Sequence, residues 1–129
     1  CQRRGFILLI GKTPDLARKV KADGIHLPEF MAGQARMLGR RNPRWIISMA
    51  AHSREAVKRA NLYGADIALI SPVLATISHP GQKPLGLYRA KNLILPPVFC
   101  YALGGMRKGL TRHIKSIGFQ GVATVSGFN

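Results

Sequence analysis

Acidic residues are scarce in this sequence. Five Asp and Glu stand against twenty Lys and Arg, a formal net charge of +15 over 129 residues. So strong a positive balance attracts polyanions, and equally a phosphorylated small molecule. The cations are scattered from Arg3 to Lys115 rather than gathered in one tract, which argues against a dedicated nucleic-acid arm. Cysteine is nearly absent: Cys1 and Cys100 make no disulfide framework, and Cys100, inside an apolar run, reads as a buried core thiol. No apolar run approaches the ~18 residues of a membrane-spanning helix, and no secretory leader pattern follows the first residue. No low-complexity stretch, linker or repeat beyond a strand–helix unit interrupts the chain. One domain over residues 1–129, a cytoplasmic location and no membrane contact are therefore expected. The chain begins at Cys1 rather than Met, so its N-terminus is expected to have been cut or left out.

What is present is a regular alternation. Near-continuous apolar runs at residues 6–10, 24–27, 45–49, 67–71, 98–103 and 122–126 read as buried strands. Helical segments separate most of them. Thr13-Pro14-Asp15 supplies an N-cap, a first-turn proline and a first-turn acid, and predicts a helix that turns Leu16 and Val20 inward and ends near Gly24. Ser53 caps the next, with Ala56, Ala60 and Tyr63 on one face, Arg54, Lys58 and Arg59 toward water, and Gly64 as its end. Leu110, Ile114 and Ile117 mark a last helix that stops at Gly118. Residues 31–38 and 86–92 are weaker helical stretches. Alternating strands and helices imply a parallel α/β sheet with right-handed crossovers. Counting strands alone leaves a doubly wound sheet and a barrel both open.

Three ordered stretches decide the resemblance. Ala22-Asp23-Gly24-Ile25-His26-Leu27 comes first. Ala51-His52-Ser53, Gly64-Ala65-Asp66, Ser71-Pro72-Val73-Leu74-Ala75-Thr76-Ile77-Ser78 and Pro84-Leu85-Gly86-Leu87 follow. Ala102-Leu103-Gly104-Gly105-Met106 and Gly121-Val122-Ala123-Thr124-Val125-Ser126-Gly127-Phe128 close the series. In order and spacing they resemble the thiamin-phosphate synthase and TenI superfamily. That resemblance implies an α/β fold, a TIM (β/α)₈ barrel that is N-terminally incomplete, with about the third to eighth strands present. It also implies a role in thiamin biosynthesis, as a transferase or a thiazole tautomerase. The missing quarter would leave two strand edges, to be covered by a partner segment, a homo-oligomer or a preceding stretch.

A phosphate site is expected at the ends of the last two matched strands. Gly104-Gly105 lets backbone N–H groups approach an anion, and Ser126-Gly127 adds a hydroxyl and another accessible N–H. The alternative, that these glycines only make tight turns, stays open. Thr76 and Ser78 match residues that contact substrate diphosphate in the family, and His79 stands where a Lys is usual; the rival reading is a solvated loop. His26 and His52 match family histidines and are expected to be structural, and no zinc spacing is present.

Several positions depart from the pattern. Gly11-Lys12 and Met31 replace expected Mg²⁺ ligands, with only Glu29 nearby, Ala50 replaces a serine, and Pro72 replaces the tautomerase histidine. No cofactor is expected, no metal ligand and no catalytic residue is assigned, and Lys12 reads as a solvated lysine or a compensating cation. The expected partner is a phosphorylated small molecule, thiazole or thiamin phosphate. A catalytically inactive thiamin-phosphate-binding or regulatory barrel, and a basic protein that binds nucleic acid nonspecifically, are the alternatives.

Overall fold

The computed structural model describes residues 4–76, 81 and 83–125. Its strands are β1 (Leu9–Gly11), β2 (Gly24–Leu27), β3 (Ile46–Ala51), β4 (Ile67–Ile70), β5 (Phe99–Leu103) and β6 (Gly121–Ala123). They alternate with helices α1 (Pro14–Lys19), α2 (Ala35–Arg41), α3 (Arg54–Leu62), α4 (Leu87–Lys91) and α5 (Thr111–Ser116). Short 3-10 helices at Glu29–Gln34 and Lys108–Leu110 lead into α2 and α5. Every strand pair is parallel, and the order is strictly sequential, β1-β2-β3-β4-β5-β6.

That order separates the two architectures the sequence left open. A doubly wound sheet reverses direction at a switch point, and this sheet never reverses. Right-handed crossovers that all step the same way lay the helices on a single face, so the six strands form a half-barrel with helices outside. Among the described residues β1 pairs only with β2 and β6 only with β5.

Strand alternation sorts the side chains. Ile25, Leu27, Ile47, Met49, Ala68, Ile70, Cys100 and Ala102 are all 2% exposed or less, packed beneath the helices with Val57, Ala60 and Ile114. Their neighbours in sequence point to the concave side. There Leu9, His26, Ser48, Ile67, Leu69 and Tyr101 line a cavity of about 290 Å³. Apolar residues on both faces explain why the strands read as unbroken hydrophobic runs.

Two of the five acids stitch the sheet at the N-terminal ends of its strands. Asp23 Oδ2 accepts from the Leu8 N–H at 2.8 Å, and its backbone bonds both neighbours, Asp23 N–H to Leu8 O and Ile46 N–H to Asp23 O. Asp66 repeats the arrangement one unit on. Its Oδ2 accepts from the Ile47 N–H at 2.8 Å, its own N–H donates to Ile47 O, and its carbonyl accepts from Phe99 N–H. The Asp of each Ala-Asp motif is thus a strand clamp, away from the strand ends where α/β chemistry gathers.

The Ser53 cap forms as expected, its Oγ accepting from Ala56 N–H at 3.1 Å. Four local expectations need correction. In α1, Leu16 and Val20 are 44% and 43% exposed, while Ala17 is fully buried. The helix ends at Lys19, well before Gly24, so Val20 is a cap residue and too little helix remains to turn Leu16 inward. The first strand starts at Leu9, leaving Phe6 and Ile7 exposed ahead of it. Arg59 is half-buried and paired with Glu29 rather than turned to water. Among the described residues no helix is long and apolar enough to cross a membrane.

Candidate functional site

Because all six strands are parallel, their C-terminal ends share one rim, where the side chains and N–H groups of the connecting loops converge. Lys12 follows β1, Glu29 follows β2, His52 follows β3, Ser71 and Pro72 follow β4, and Gly104-Gly105 follow β5. The sequence scatters these residues over almost a hundred positions, and the topology gathers them.

The turn after β5 is built around its glycines. Gly104 and Gly105 have φ of +99° and +65°, in the region glycine alone occupies at little cost. A Cβ on Gly105 would lie 2.4 Å from Ala75 O and 2.7 Å from Leu74 Cβ, and one on Gly104 would lie 3.1 Å from Pro72 Cα. Two hydrogen bonds hold the approach, Val73 N–H to Leu103 O at 2.9 Å and Leu74 N–H to Gly104 O at 3.1 Å. The tight-turn role is therefore real, and it leaves room for a second one. Among the described residues, neither Gly104 nor Gly105 donates its N–H to a backbone acceptor. After the buried Met106 come Arg107 and Lys108, both exposed. Unpaired N–H groups beside cations suit an oxyanion.

Thr76 lies half-buried just beyond the segment on which this turn rests. Ser78, His79, Ser126 and Gly127 lie outside the described residues.

The other rim positions are committed differently. Glu29 pairs with Arg59 at 2.5 Å, and its second oxygen accepts from His52 N–H at 3.3 Å. Met31 packs against the core. Lys12 is exposed with φ of +64°, its N–H donating to His26 O at 3.0 Å. Among the described residues no three His, Cys, Asp or Glu side chains are placed to share a metal ion. With the Glu29 carboxylate held by Arg59 and the His52 N–H, this part of the rim does not fit Mg²⁺, which wants free carboxylate oxygens.

Both histidines are anchored. His26 Nδ1 lies 3.0 Å from Ser48 Oγ inside the concave face, and burial pushes the imidazole pKa below its ordinary value. Ser48 is 1% exposed, so the ring supplies the partner that its buried hydroxyl requires. His52 Nδ1 lies 2.8 Å from Ser71 O, and the exposed ring borders two rim cavities. One, of about 760 Å³, is lined by Glu29, Phe30, Ala50, Arg59 and Tyr63 besides His52. The other, of about 270 Å³, is lined by Ser71, Pro72, Lys83 and Leu85 with it. Sequence reading passed over Ser71 and Lys83 as site residues. Only their position at the end of β4 and on the loop that folds back over it sets them apart.

The profile of the thiamine monophosphate synthase family matches residues 1–128. The chain belongs to this family. A thiamine-phosphate synthase-like protein of Aquifex aeolicus is 38% identical over 125 residues, which cover 95% of this chain and 66% of that protein. The thiamine-phosphate synthase of Prochlorococcus marinus is 28% identical over 131 residues, covering 98% of this chain and 36% of the other. This family member thus spans two thirds or less of these relatives. Its fold is similar to that of a thiamine phosphate pyrophosphorylase from Pyrococcus furiosus, with a TM-score of 0.76 at 22% identity, covering 96% of this chain and 59% of that one.

Proposed function

We propose that this family member binds a phosphate ester of thiamin biosynthesis, thiazole phosphate or thiamin phosphate, on the rim after β5. The observation that carries the reading is the Gly104–Gly105 turn. Its two N–H groups are unpaired among the described residues, its shape requires glycine, and the exposed Arg107 and Lys108 follow it closely in sequence. Ser126 and Gly127, which come after β6 in the sequence, and Thr76, Ser78 and His79, which come after β4 in the sequence, complete the proposed contacts. The same reading takes residues 1–129 as one domain holding the third to eighth strands of a (β/α)₈ barrel. The sequential strand order and the likeness to the Pyrococcus enzyme support it.

The reacting end of the site differs from its phosphate end. Gly11, Lys12 and Met31 offer no carboxylate, Ala50 offers no hydroxyl, and Pro72 has no transferable proton. The function proposed is therefore binding by a scaffold of the synthase type, without the family's Mg²⁺-assisted transfer.

Calorimetric titration with thiazole phosphate and with thiamin phosphate, with and without Mg²⁺, tests this directly. Binding that does not depend on Mg²⁺, together with shifted amide resonances of Gly104 and Gly105, is the expected result. Amides that stay unmoved at saturation would refute the phosphate turn. Retention of nucleic acid that falls steeply with salt, with those amides silent, would favour nonspecific polyanion binding.

A further inference from the structure

His52 presents a feature that neither its motif nor the phosphate turn accounts for. Its Nδ1 lies 2.8 Å from the carbonyl oxygen of Ser71. A carbonyl only accepts, so Nδ1 carries the proton, and in the neutral ring Nε2 is left with its lone pair. Among the described residues nothing bonds Nε2. The backbone holds the ring in place, because His52 N–H donates to Glu29 and Ser71 N–H donates to Ala51 O at 3.2 Å. Ser71 Oγ lies 3.3 Å from Nδ1 and accepts a share of the same proton, which turns its own O–H away from the ring.

The cavity of about 270 Å³ that His52 shares with Ser71 also holds Lys83. The loop carrying Lys83 is held over the end of β4 by Leu85 N–H to Pro72 O and Gly86 N–H to Val73 O, both 2.9 Å. Of the charged groups lining the two cavities that His52 borders, Glu29 and Arg59 neutralise each other, which leaves Lys83 as the charge among them with no ion pair among the described residues.

We propose that His52, Ser71 and Lys83 form a second anion subsite, selective for an oxyanion that carries a proton. The P–OH of hydrogen phosphate donates to Nε2 of His52, its charged oxygens face Lys83, and the Ser71 hydroxyl donates to one of them. Sulfate has the charge and no proton to give near neutral pH, so it meets the lone pair unfavourably. This subsite lies across Pro72 from the Gly104–Gly105 turn and stands whether or not that turn binds phosphate.

The test uses the full chain, with inorganic phosphate and sulfate as probes, at a pH where the imidazole is neutral. Side-chain ¹⁵N spectra of His52 report this subsite, and the Gly104 and Gly105 amides report the other, so failure of one reading is distinguishable from failure of the other. We expect Nδ1 protonated, Nε2 bare, and phosphate preferred over sulfate by about tenfold, the worth of one hydrogen bond gained or left unmade. His52→Asn keeps a donor for Ser71 O and removes Nε2, so the fold stays intact while the preference disappears. His52→Gln returns an acceptor near the Nε2 position and restores part of it. Lys83→Ala weakens both anions alike. A ring protonated at Nε2, equal affinity for the two anions, or an unchanged preference in His52→Asn would each overturn the proposal.

Discussion

Five acids serve a chain with twenty cations, and four of them have definite structural work. Asp23 and Asp66 clamp strands, Glu29 holds Arg59 and the His52 backbone, and Asp15 pairs with Arg18 at 2.5 Å on the first turn of α1. Of these four, Glu29 is the one placed directly after a strand end on the rim, and its two oxygens are taken up by Arg59 and the His52 N–H. Cys100 behaves as its setting dictates: burial pushes its thiol pKa up and leaves it a core residue. His26 carries a measurable consequence of the same physics. Burial holds its folded pKa below the ordinary value, so on acidification the unfolded chain takes up the proton first. Its contribution to stability is complete above about pH 6.5 and is lost as the pH falls from there through the folded value. Thermal unfolding across that window should show the midpoint of the wild type dropping on acidification, and a flatter profile for His26→Gln. Parallel profiles would contradict the assignment.

At the level of elements, local chemistry was legible where it acts locally. Ser53 caps α3, and Ala56 and Ala60 are buried with Tyr63 packed against the core, because a cap and an i, i+4 stripe need only neighbouring residues. The same reasoning failed for α1, whose six residues are too few to present Leu16 inward, and for the stretch before α2, which is wound as a 3-10 helix. The turn after β5 shows why Gly-Gly alone left two readings open. Steric need and N–H groups left unpaired among the described residues are separate properties, and both are present. Gly105→Ala should lower stability by about 1–3 kcal/mol, since its Cβ must displace the backbone at Ala75. Gly109→Ala, where nothing lies within 4 Å, should stay within about 0.5 kcal/mol of the wild type. Urea unfolding of the two variants side by side provides the measurement.

The whole molecule is a curved sheet covered on one side. The helices bury its convex face almost completely, while Leu9, Ile67, Leu69 and Tyr101 on the concave face are only half-buried and Phe99 is 54% exposed. Apolar surface of this kind, bounded by strand edges at β1 and β6, favours association or dye binding. The 129-residue chain should therefore enhance the fluorescence of the hydrophobic dye ANS in its native state and sediment above its monomer mass of 14.1 kDa. A monomer silent to the dye would show that this face is closed in solution. The clustering of Lys12, Glu29, His52, Ser71 and Gly104 on a single rim belongs to this scale too, because it follows from parallel strands taken in order.

The sequence by itself determined the α/β class, six strands close to their observed places, the best-capped helix and the family, since propensity, capping and motif order are written in consecutive residues. Only the tertiary structure decided that the sheet never reverses, and that Asp23 and Asp66 clamp strands. It also decided that Glu29 is taken up by Arg59, that His52 meets Ser71, and that it shares a cavity with Lys83. Those facts depend on contacts between residues far apart in the chain, and no local pattern encodes which distant partner a side chain will find.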